Sequence, residues 1–398
     1  MSAWIFLAAA MLVVYVYAGY PVLIALLARA RARARSGSAP RPSARPMVAV
    51  VIVAFDESAR IGAKVASCLA QSYPRDRMRI VVVSDGCTDD TLAQARAAGG
   101  ARVATLGFPT RRGKAACLND VVPELPDEIV VLTDVRQPLS PDAVERLVSA
   151  LDDPAVGAAS GELIFVDGNA SDFGAGVDAY WRYEKFIRRA ESAAHACIGV
   201  TGALYAIRRP LFERIPPDTV LDDVLIPMQV VRAGHRVLFV DDAIAYDRPS
   251  ASPAQERARK TRTLAGNFQL LVRQPWLMSP VSNPAFVQFV SHKALRLAVP
   301  PALVALLASN AVLAADGATA WRVVFALQLT GYALPLLGRL SPAVARLRIV
   351  RMATAFLVLN WFVVLGLASF LRSRDTHLWQ VTRSTVSSSA SSSGDRAP

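Results

Sequence analysis

Apolar residues follow two patterns along this chain. Between about residues 46 and 275, short β-branched runs alternate with segments whose apolar positions recur at helical spacing. The run "MVAVVIVAF" (47–55) predicts a fully buried strand, and "RIGAKVASCLAQ" after it predicts an amphipathic helix. "RIVVVSD", "ARVATL" and "EIVVLTD" predict three further strands. "DDTLAQARAAGG" and "KAACLNDVV" predict short helices, and "SPDAVERLVSAL" one more, with Ser140 as its cap and Pro141 at its first position. Strands that alternate with helices and carry no polar face imply a parallel sheet covered on both sides.

The second pattern is long and continuous. Trp4–Leu27 contains no charge and is long enough to cross a bilayer as a helix. Leu297–Ala315, Val323–Gly338 and Met352–Leu371 are similar, the middle one being short and interrupted by Pro335. The first stretch lacks a basic leader and is too long for a signal-peptide core, so an uncleaved anchor is expected. The composition agrees: 53% of the 398 residues are hydrophobic and only 19% are charged.

Charge adds orientation. The net charge is +12, and six arginines fall between residues 29 and 45. Basic residues beside an anchor are retained on the cytoplasmic side, which places the middle of the chain in the cytoplasm. That reading is preferred to a nucleic-acid patch, because the chain has no aromatic stacking runs. The expected organisation is an N-terminal transmembrane helix (1–28), a basic, proline-rich linker (29–46) and a cytoplasmic domain (47–275). About three interfacial and transmembrane helices (276–372) and a low-complexity tail (373–398) complete it. Three crossings after the domain would put Trp379 on the far side, unless a stretch is re-entrant or residues 281–296 add a further membrane segment. The four cysteines and four histidines show no metal-ligand spacing and are expected to be structural.

Candidate chemistry lies at strand ends. Two predicted parallel strands stop at Asp85 and Asp134, at the sheet edge where α/β folds bind ligands. "RRGKAACLN" (111–119) supplies cations, a glycine and a helix N-terminus, the parts of a phosphate site. Asp222 and Asp223 head an amphipathic helix, and "QERARKTRTLAGN" (255–267) is a basic amphipathic segment just before the membrane stretches.

As a set, these motifs resemble the membrane-embedded branch of glycosyltransferase family 2 that includes the processive hyaluronan, chitin and cellulose synthases. "VIVAFDES" stands at the family's first strand and nucleotide loop, with Asp56 in place of an asparagine. "VVVSDGCTDDT" stands at the uridine-binding acid loop, "RRGKAACLN" at the Arg-Gly-Lys stretch and "TDVR" at the Asp-x-Asp metal motif, where Arg136 replaces the second acid. "SGEL" (160–163) and "TGALYAIRR" (201–209) stand at the acceptor-side strands, and "DDV" at the motif of the catalytic base. "RKTRT" keeps only Arg262 of the Gln-x-x-Arg-Trp motif, and "WQVTR" (379–383) resembles the C-terminal signature.

The resemblance implies an α/β, GT-A-like (Rossmann-like), mostly parallel sheet domain with α-helical transmembrane segments. It implies an inverting transfer from a UDP-sugar to a lipid-linked or growing polysaccharide acceptor at the membrane, with Mg²⁺ or Mn²⁺ as divalent cation. Asp223 would be the base with Asp222 beside it, and Arg262 would stabilise the leaving diphosphate. Glu57, Asp85, Asp89, Lys114 and Asp134 would bind the nucleotide sugar, Asp134 also holding the metal. Gly161, Glu162 and Trp379 would lie on the acceptor side. A single transfer to a lipid carrier or membrane lipid, and a non-catalytic nucleotide-sugar sensor, stay open beside polymer synthesis.

Overall fold

A computed structural model describes residues 1–34, 45–166, 174–249, 252–372 and 378. Among the described residues there are seven strands: β1 (Val48–Ala54), β2 (Met78–Asp85), β3 (Val103–Phe108), β4 (Ile129–Thr133), β5 (Val156–Phe165), β6 (Leu204–Arg208) and β7 (Arg236–Asp247). They form one sheet in the order β3-β2-β1-β4-β6-β5-β7. Every strand except β6 runs the same way, and β6 lies antiparallel between β4 and β5. Its first residues therefore sit at the edge where β2 and β4 end.

The unbroken apolar run of β1 follows from burial on two sides. Val48, Val50, Ile52 and Ala54 face one core, with Ile61, Val65 and Cys68 of the Ser58–Leu69 helix and Val144 and Leu147 of the Ala143–Ala150 helix. Ala49, Val51 and Val53 face the other, with Leu118 of the Lys114–Val121 helix, Val224 of the Asp222–Arg232 helix and Leu270 of the Pro253–Arg273 helix. A polar residue at either set of positions would lose its water without a partner.

The Ala143–Ala150 helix starts later than its sequence suggests. Its N-cap is Asp142, not Ser140. Ser140 is instead committed to β7: its N–H donates to the Ile244 carbonyl at 2.8 Å and its Oγ accepts from the Ile244 N–H at 3.3 Å.

Among the described residues, four helical stretches are long and apolar enough to cross a membrane: Ser2–Arg31, Phe286–Ala315, Thr319–Leu340 and Arg348–Arg372. The N-terminal helix continues past residue 28 to Ala34, so its first arginines are helical, not linker. Residues 286–296 open the Phe286–Ala315 stretch and do not form a separate segment. A buried polar cluster joins this stretch to the sheet domain. Tyr20 Oη donates to Glu191 Oε1 at 2.5 Å, and the two His292 ring nitrogens lie 2.7 Å from Glu191 Oε1 and 3.0 Å from Glu184 Oε2. Arg296 pairs with Glu184. Glu184 and Glu191 belong to the Gly174–Ala194 helix, so the Tyr20 hydrogen bond fixes it against the N-terminal helix, and the His292 and Arg296 contacts fix it against the Phe286–Ala315 stretch.

The Arg348–Arg372 helix lies parallel along Pro253–Arg273. Lys260 meets the Phe362 ring, Gly366 nests on Leu264, and Phe268 stacks on Phe370 at 6.4 Å.

Candidate active site

The strand ends gather acids and cations into one cluster. Asp134 follows the last residue of β4. Lys114, at the first position of its helix, places Nζ 2.8 Å from Asp134 Oδ1 and 3.5 Å from Asp222 Oδ2. Gly202 stands just before β6, and a methyl there would lie 3.5 Å from Asp223 Oδ2 and 3.8 Å from Asp134 Oδ2. The carboxylates of Asp134 and Asp223 therefore flank one glycine.

Pro227 helps to hold that arrangement. It lies inside the Asp222–Arg232 helix and has no N–H to offer the Asp223 carbonyl. That carbonyl accepts from the Val200 N–H at 2.8 Å, which docks the Thr201–Gly202 turn against the helix start.

Crowded charge shifts the protonation equilibria. Burial raises the Asp223 carboxyl to about 6, and the charge of Asp222 adds to it against the opposing pull of Lys114 and Lys293. Burial alone would lower the Lys114 ammonium, but Asp134, Asp222 and Asp223 outweigh it and raise the group above the ordinary lysine range. Burial likewise lowers the Arg262 guanidinium, opposed by the negative charge of Asp222, Asp223 and Asp134. Arg262 thus shares the field of the same three acids.

The loops under this cluster explain the glycines. Gly113 has φ of 95° and Gly86 has φ of 70°, both left-handed. A methyl on Gly86 would sit 2.5 Å from the Arg111 backbone nitrogen. Asp85 is fully buried between these loops: Oδ1 accepts from the Arg112 N–H at 2.7 Å and Oδ2 from the Gly113 N–H at 2.9 Å. The acid expected to face a uridine thus has its oxygens engaged by two backbone amides and fixes the Arg111–Lys114 loop.

Glu57 and Asp89 lie at the same sheet edge, where Asp89 and Arg60 rather than Asp134, Asp222 or Asp223 surround Glu57 most closely among the described residues. Asp89 accepts from the N–H groups of Ser58 and Thr91, each at 3.0 Å, and ties the β1 and β2 loops together. Burial raises the Glu57 carboxyl, against an ion pair to Arg60 at 3.0 Å. Asp56, Cys87 and Asp89 bring ligand atoms within 4.8 Å of one another. Asp56 in turn accepts from the Thr88 N–H at 2.7 Å, so this trio is also part of the loop tie.

On the acceptor side, Gly161 is enclosed. A methyl there would stand 2.6 Å from the Ala243 carbonyl and 2.8 Å from Leu204 Cδ2, so its position in β5 is set by sheet packing. Glu162 pairs with Lys185 at 2.5 Å. Trp379 lies outside the described residues.

Arg136, at the second position of the metal motif, is turned away. Its Nε and Nη2 donate to Asp247 Oδ1 and Oδ2 at 2.9 and 2.7 Å. Burial would raise the Asp247 carboxyl, but hydrogen bonds from Arg136 and Gln137 hold it below the ordinary carboxylate range.

Lys64 was not singled out in the sequence, and Arg111 and Tyr205 only as parts of longer motifs. Lys64 is 2% exposed and donates from Nζ to Thr133 Oγ1 at 2.7 Å and to the Gln137 carbonyl at 2.6 Å, bracketing Asp134 from below. Its signal was present: Ile61, Lys64, Val65 and Cys68 form one helical stripe with a lysine in an apolar place. Arg111 covers the Phe55 ring at 3.8 Å. Tyr205 is fully buried, and its hydroxyl finds no hydrogen-bond partner among the described residues.

Residues 45–266 match the family described as "Glycosyltransferase like family 2". The chain belongs to this family. Curated proteins named N-acetylglucosaminyltransferase are similar to it. One from Bradyrhizobium diazoefficiens is 26% identical over 215 residues, covering 50% of this chain and 44% of that protein. Another from Rhizobium leguminosarum bv. trifolii is 30% identical over 127 residues, covering 31% of this chain and 69% of that protein. The chain spans about half the length of the curated relatives it matches first. Among solved structures it is similar to the mannosyltransferase PcManGT from Pyrobaculum calidifontis, in complex with GDP-Man and Mn²⁺. There the TM-score is 0.69 at 26% identity, over 92% of this chain and 99% of that one. The fold is the GT-A fold of these enzymes, in agreement with the mostly parallel sheet expected from the sequence.

Proposed function

We propose that this protein is an inverting glycosyltransferase that moves one sugar from a nucleoside-diphosphate donor to a lipid-linked acceptor at the membrane. The observation that carries the reading is the meeting of Asp134, Asp222, Asp223, Lys114 and Arg262 at the edge where β4 ends and β6 begins. Asp223 is the base: a carboxyl raised to about 6 is still ionised near neutral pH and basic enough to take a hydroxyl proton. As the acceptor oxygen attacks the anomeric carbon, the diphosphate departs with its bonding electrons. Lys114 and Arg262 are the cations placed to receive that charge.

A divalent cation fits this site. Asp134 is a hard oxygen donor with its side chain 44% exposed; Lys114 binds its Oδ1, and its Oδ2 lies 3.8 Å from where a methyl on Gly202 would stand. Mg²⁺ or Mn²⁺ held there would neutralise the diphosphate. Arg136 adds no ligand, so donor phosphates and water would complete the shell. The Asp56–Cys87–Asp89 trio is less suited, because its carboxylates are engaged in loop hydrogen bonds.

The names of the curated relatives make UDP-N-acetylglucosamine the first donor to try, and the solved mannosyltransferase makes GDP-mannose the second. The arginines at the end of the N-terminal helix favour a cytoplasmic site. Loss of the glutamine and tryptophan around Arg262 favours a single transfer over polymer synthesis. The test is incubation of membranes containing the full chain with each radiolabelled donor, reading label in lipid extracts and product size. Label in a single-sugar lipid, lost in Asp223→Asn, is expected. A long polymer would replace single transfer with synthesis. Donor binding without any transfer or hydrolysis would leave a sensor.

A further inference from the structure

The turn that carries Asp134 rests on a buried side chain that no step of the sugar transfer uses. Lys64 is 2% exposed, on a helix face shared with Ile61, Val65 and Cys68. Its Nζ donates to Thr133 Oγ1 at 2.7 Å and to the Gln137 carbonyl at 2.6 Å. Both acceptors are neutral. An ammonium buried against neutral oxygens lowers stability, and an apolar side chain of similar volume would fill the stripe without that penalty. Packing alone does not account for the lysine.

The same helix holds a longer segment by hydrogen bonds. Ser67 Oγ accepts from the Leu139 N–H at 2.8 Å. Gln71, just past the helix end, donates from Nε2 to the Ser140 carbonyl at 2.8 Å. Lys64, Ser67 and Gln71 recur at helical spacing, so one face seats the chain from Thr133 to Ser140. Neutral groups serve at the far end of that segment. The charged member stands where the segment carries Asp134. Burial lowers the Lys64 ammonium, and Cys68 and the Asp134 carboxylate oppose that fall.

Asp134, Val135 and Arg136 lie between the two acceptors of Lys64, so the turn arches over a single nitrogen. Its start is tied again by the Thr133 hydroxyl, which donates to the Ala203 carbonyl at 2.6 Å, next to Gly202. Its end is tied by Gln137 Nε2, which donates to Asp247 Oδ2 at 3.0 Å. Lys114 holds the Asp134 side chain from the other side, at Oδ1. With Arg136 committed to Asp247, Asp134 is the one acid of the metal motif. A cation held by several protein acids draws them into place as it binds. A single acid has to be held in place by its surroundings.

We propose that Lys64 is a positioning residue of the metal site: its ammonium sets the span of the Thr133–Gln137 turn and so presents the Asp134 carboxylate to the divalent cation. This rests on the reading above that Asp134 holds the cation of sugar transfer, and adds the group that aims it.

The test is Mn²⁺ binding to the purified full chain in detergent, with UDP or GDP present, read from the electron paramagnetic resonance signal of free Mn²⁺. Binding needs no turnover. In Lys64→Met the Mn²⁺ dissociation constant should rise about 10–100-fold, the usual effect of removing a group behind a metal ligand. The melting temperature should stay at or above the native value, because a buried charge has gone. Lys64→Arg, which returns charge and two donors, should recover much of the affinity. In transfer assays, Lys64→Met should raise the Mn²⁺ concentration for half-maximal rate more than it lowers kcat. A lower melting temperature with native Mn²⁺ affinity would make Lys64 a core residue and overturn the proposal. Thr133→Val removes one acceptor and leaves the lysine, so it should weaken Mn²⁺ in the same direction. Unchanged affinity there would overturn the proposal even if Lys64→Met does not fold. Mn²⁺ binding lost in Asp134→Asn but intact in Lys64→Met would overturn the role of Lys64 alone. No binding by the native chain, or binding indifferent to Asp134→Asn, would overturn the metal reading and this proposal with it.

Discussion

Arg136 and Asp247 form a two-pronged ion pair across the end of the sheet, with hydrogen bonds of 2.9 and 2.7 Å to a carboxylate whose side chain is 2% exposed. The residue that breaks the family's metal motif is therefore a structural partner of β7. Arg136→Asp, which restores the motif on paper, is expected to lose about 3 kcal/mol of stability by leaving Asp247 buried beside a second acid. Thermal unfolding would measure it. Improved metal affinity with unchanged melting would contradict the pairing.

Asp223→Asn is expected to lower turnover by about 10²–10⁴-fold, the usual worth of one positioned base. In the native chain, kcat/KM should rise with pH to a plateau above about 6, because the base must be ionised. The stability effect has the opposite sign. A carboxyl whose folded value is raised stabilises the fold below its unfolded value near 4, and that contribution is lost as pH rises through about 6. Asp223→Asn should therefore become more stable than the native chain across that window, by roughly 1–2 kcal/mol above it. Melting curves at pH 4 and pH 8 would show the difference widening.

Gly161→Ala separates packing from acceptor recognition. Its methyl would meet the Ala243 carbonyl and Leu204, an overpacking that costs about 1–3 kcal/mol. Chemical denaturation should record that loss. A variant of native stability with a raised acceptor KM would return Gly161 to the acceptor site.

Asp85→Asn removes the charge that the Arg112 and Gly113 amides donate to, and sets an amide group against one of them. A loss of about 1–3 kcal/mol is expected. Nucleotide affinity should fall with it, through a loosened Arg111–Lys114 loop. Calorimetry with UDP, alongside melting, would check both. Native stability with only nucleotide affinity lost would mean that Asp85 touches the nucleotide directly.

Chelation with EDTA should abolish transfer, and added Mg²⁺ or Mn²⁺ should restore it. Transfer that is indifferent to EDTA would show that Lys114 and Arg262 suffice for the diphosphate.

What the sequence made legible was what local pattern can encode. The strands β1, β2 and β4 were readable because burial on both faces leaves long runs of apolar, mostly β-branched residues in them. Asp134, Asp222 and Asp223 were readable because parallel strands and helix starts share one edge. The reversed direction of β6 was not, since its neighbours in the sheet are distant in sequence. The partner of Arg136 and the amides around Asp85 were hidden for the same reason. Ser140 carried a helix-start signal, yet its hydrogen bonds went to Ile244 across the fold. Lys64 was visible as a lysine in an apolar stripe, but its partners Thr133 and Gln137 were not.

The nesting of Gly366 on Leu264 leaves 2.6 Å where a methyl would have to go. So close an approach couples the two helices through their backbones. Arg262, half a turn earlier, is thereby geared to the last apolar helix, and a change in bilayer thickness that tilts this helix would be felt as a shift of charge beside Asp222 and Asp223.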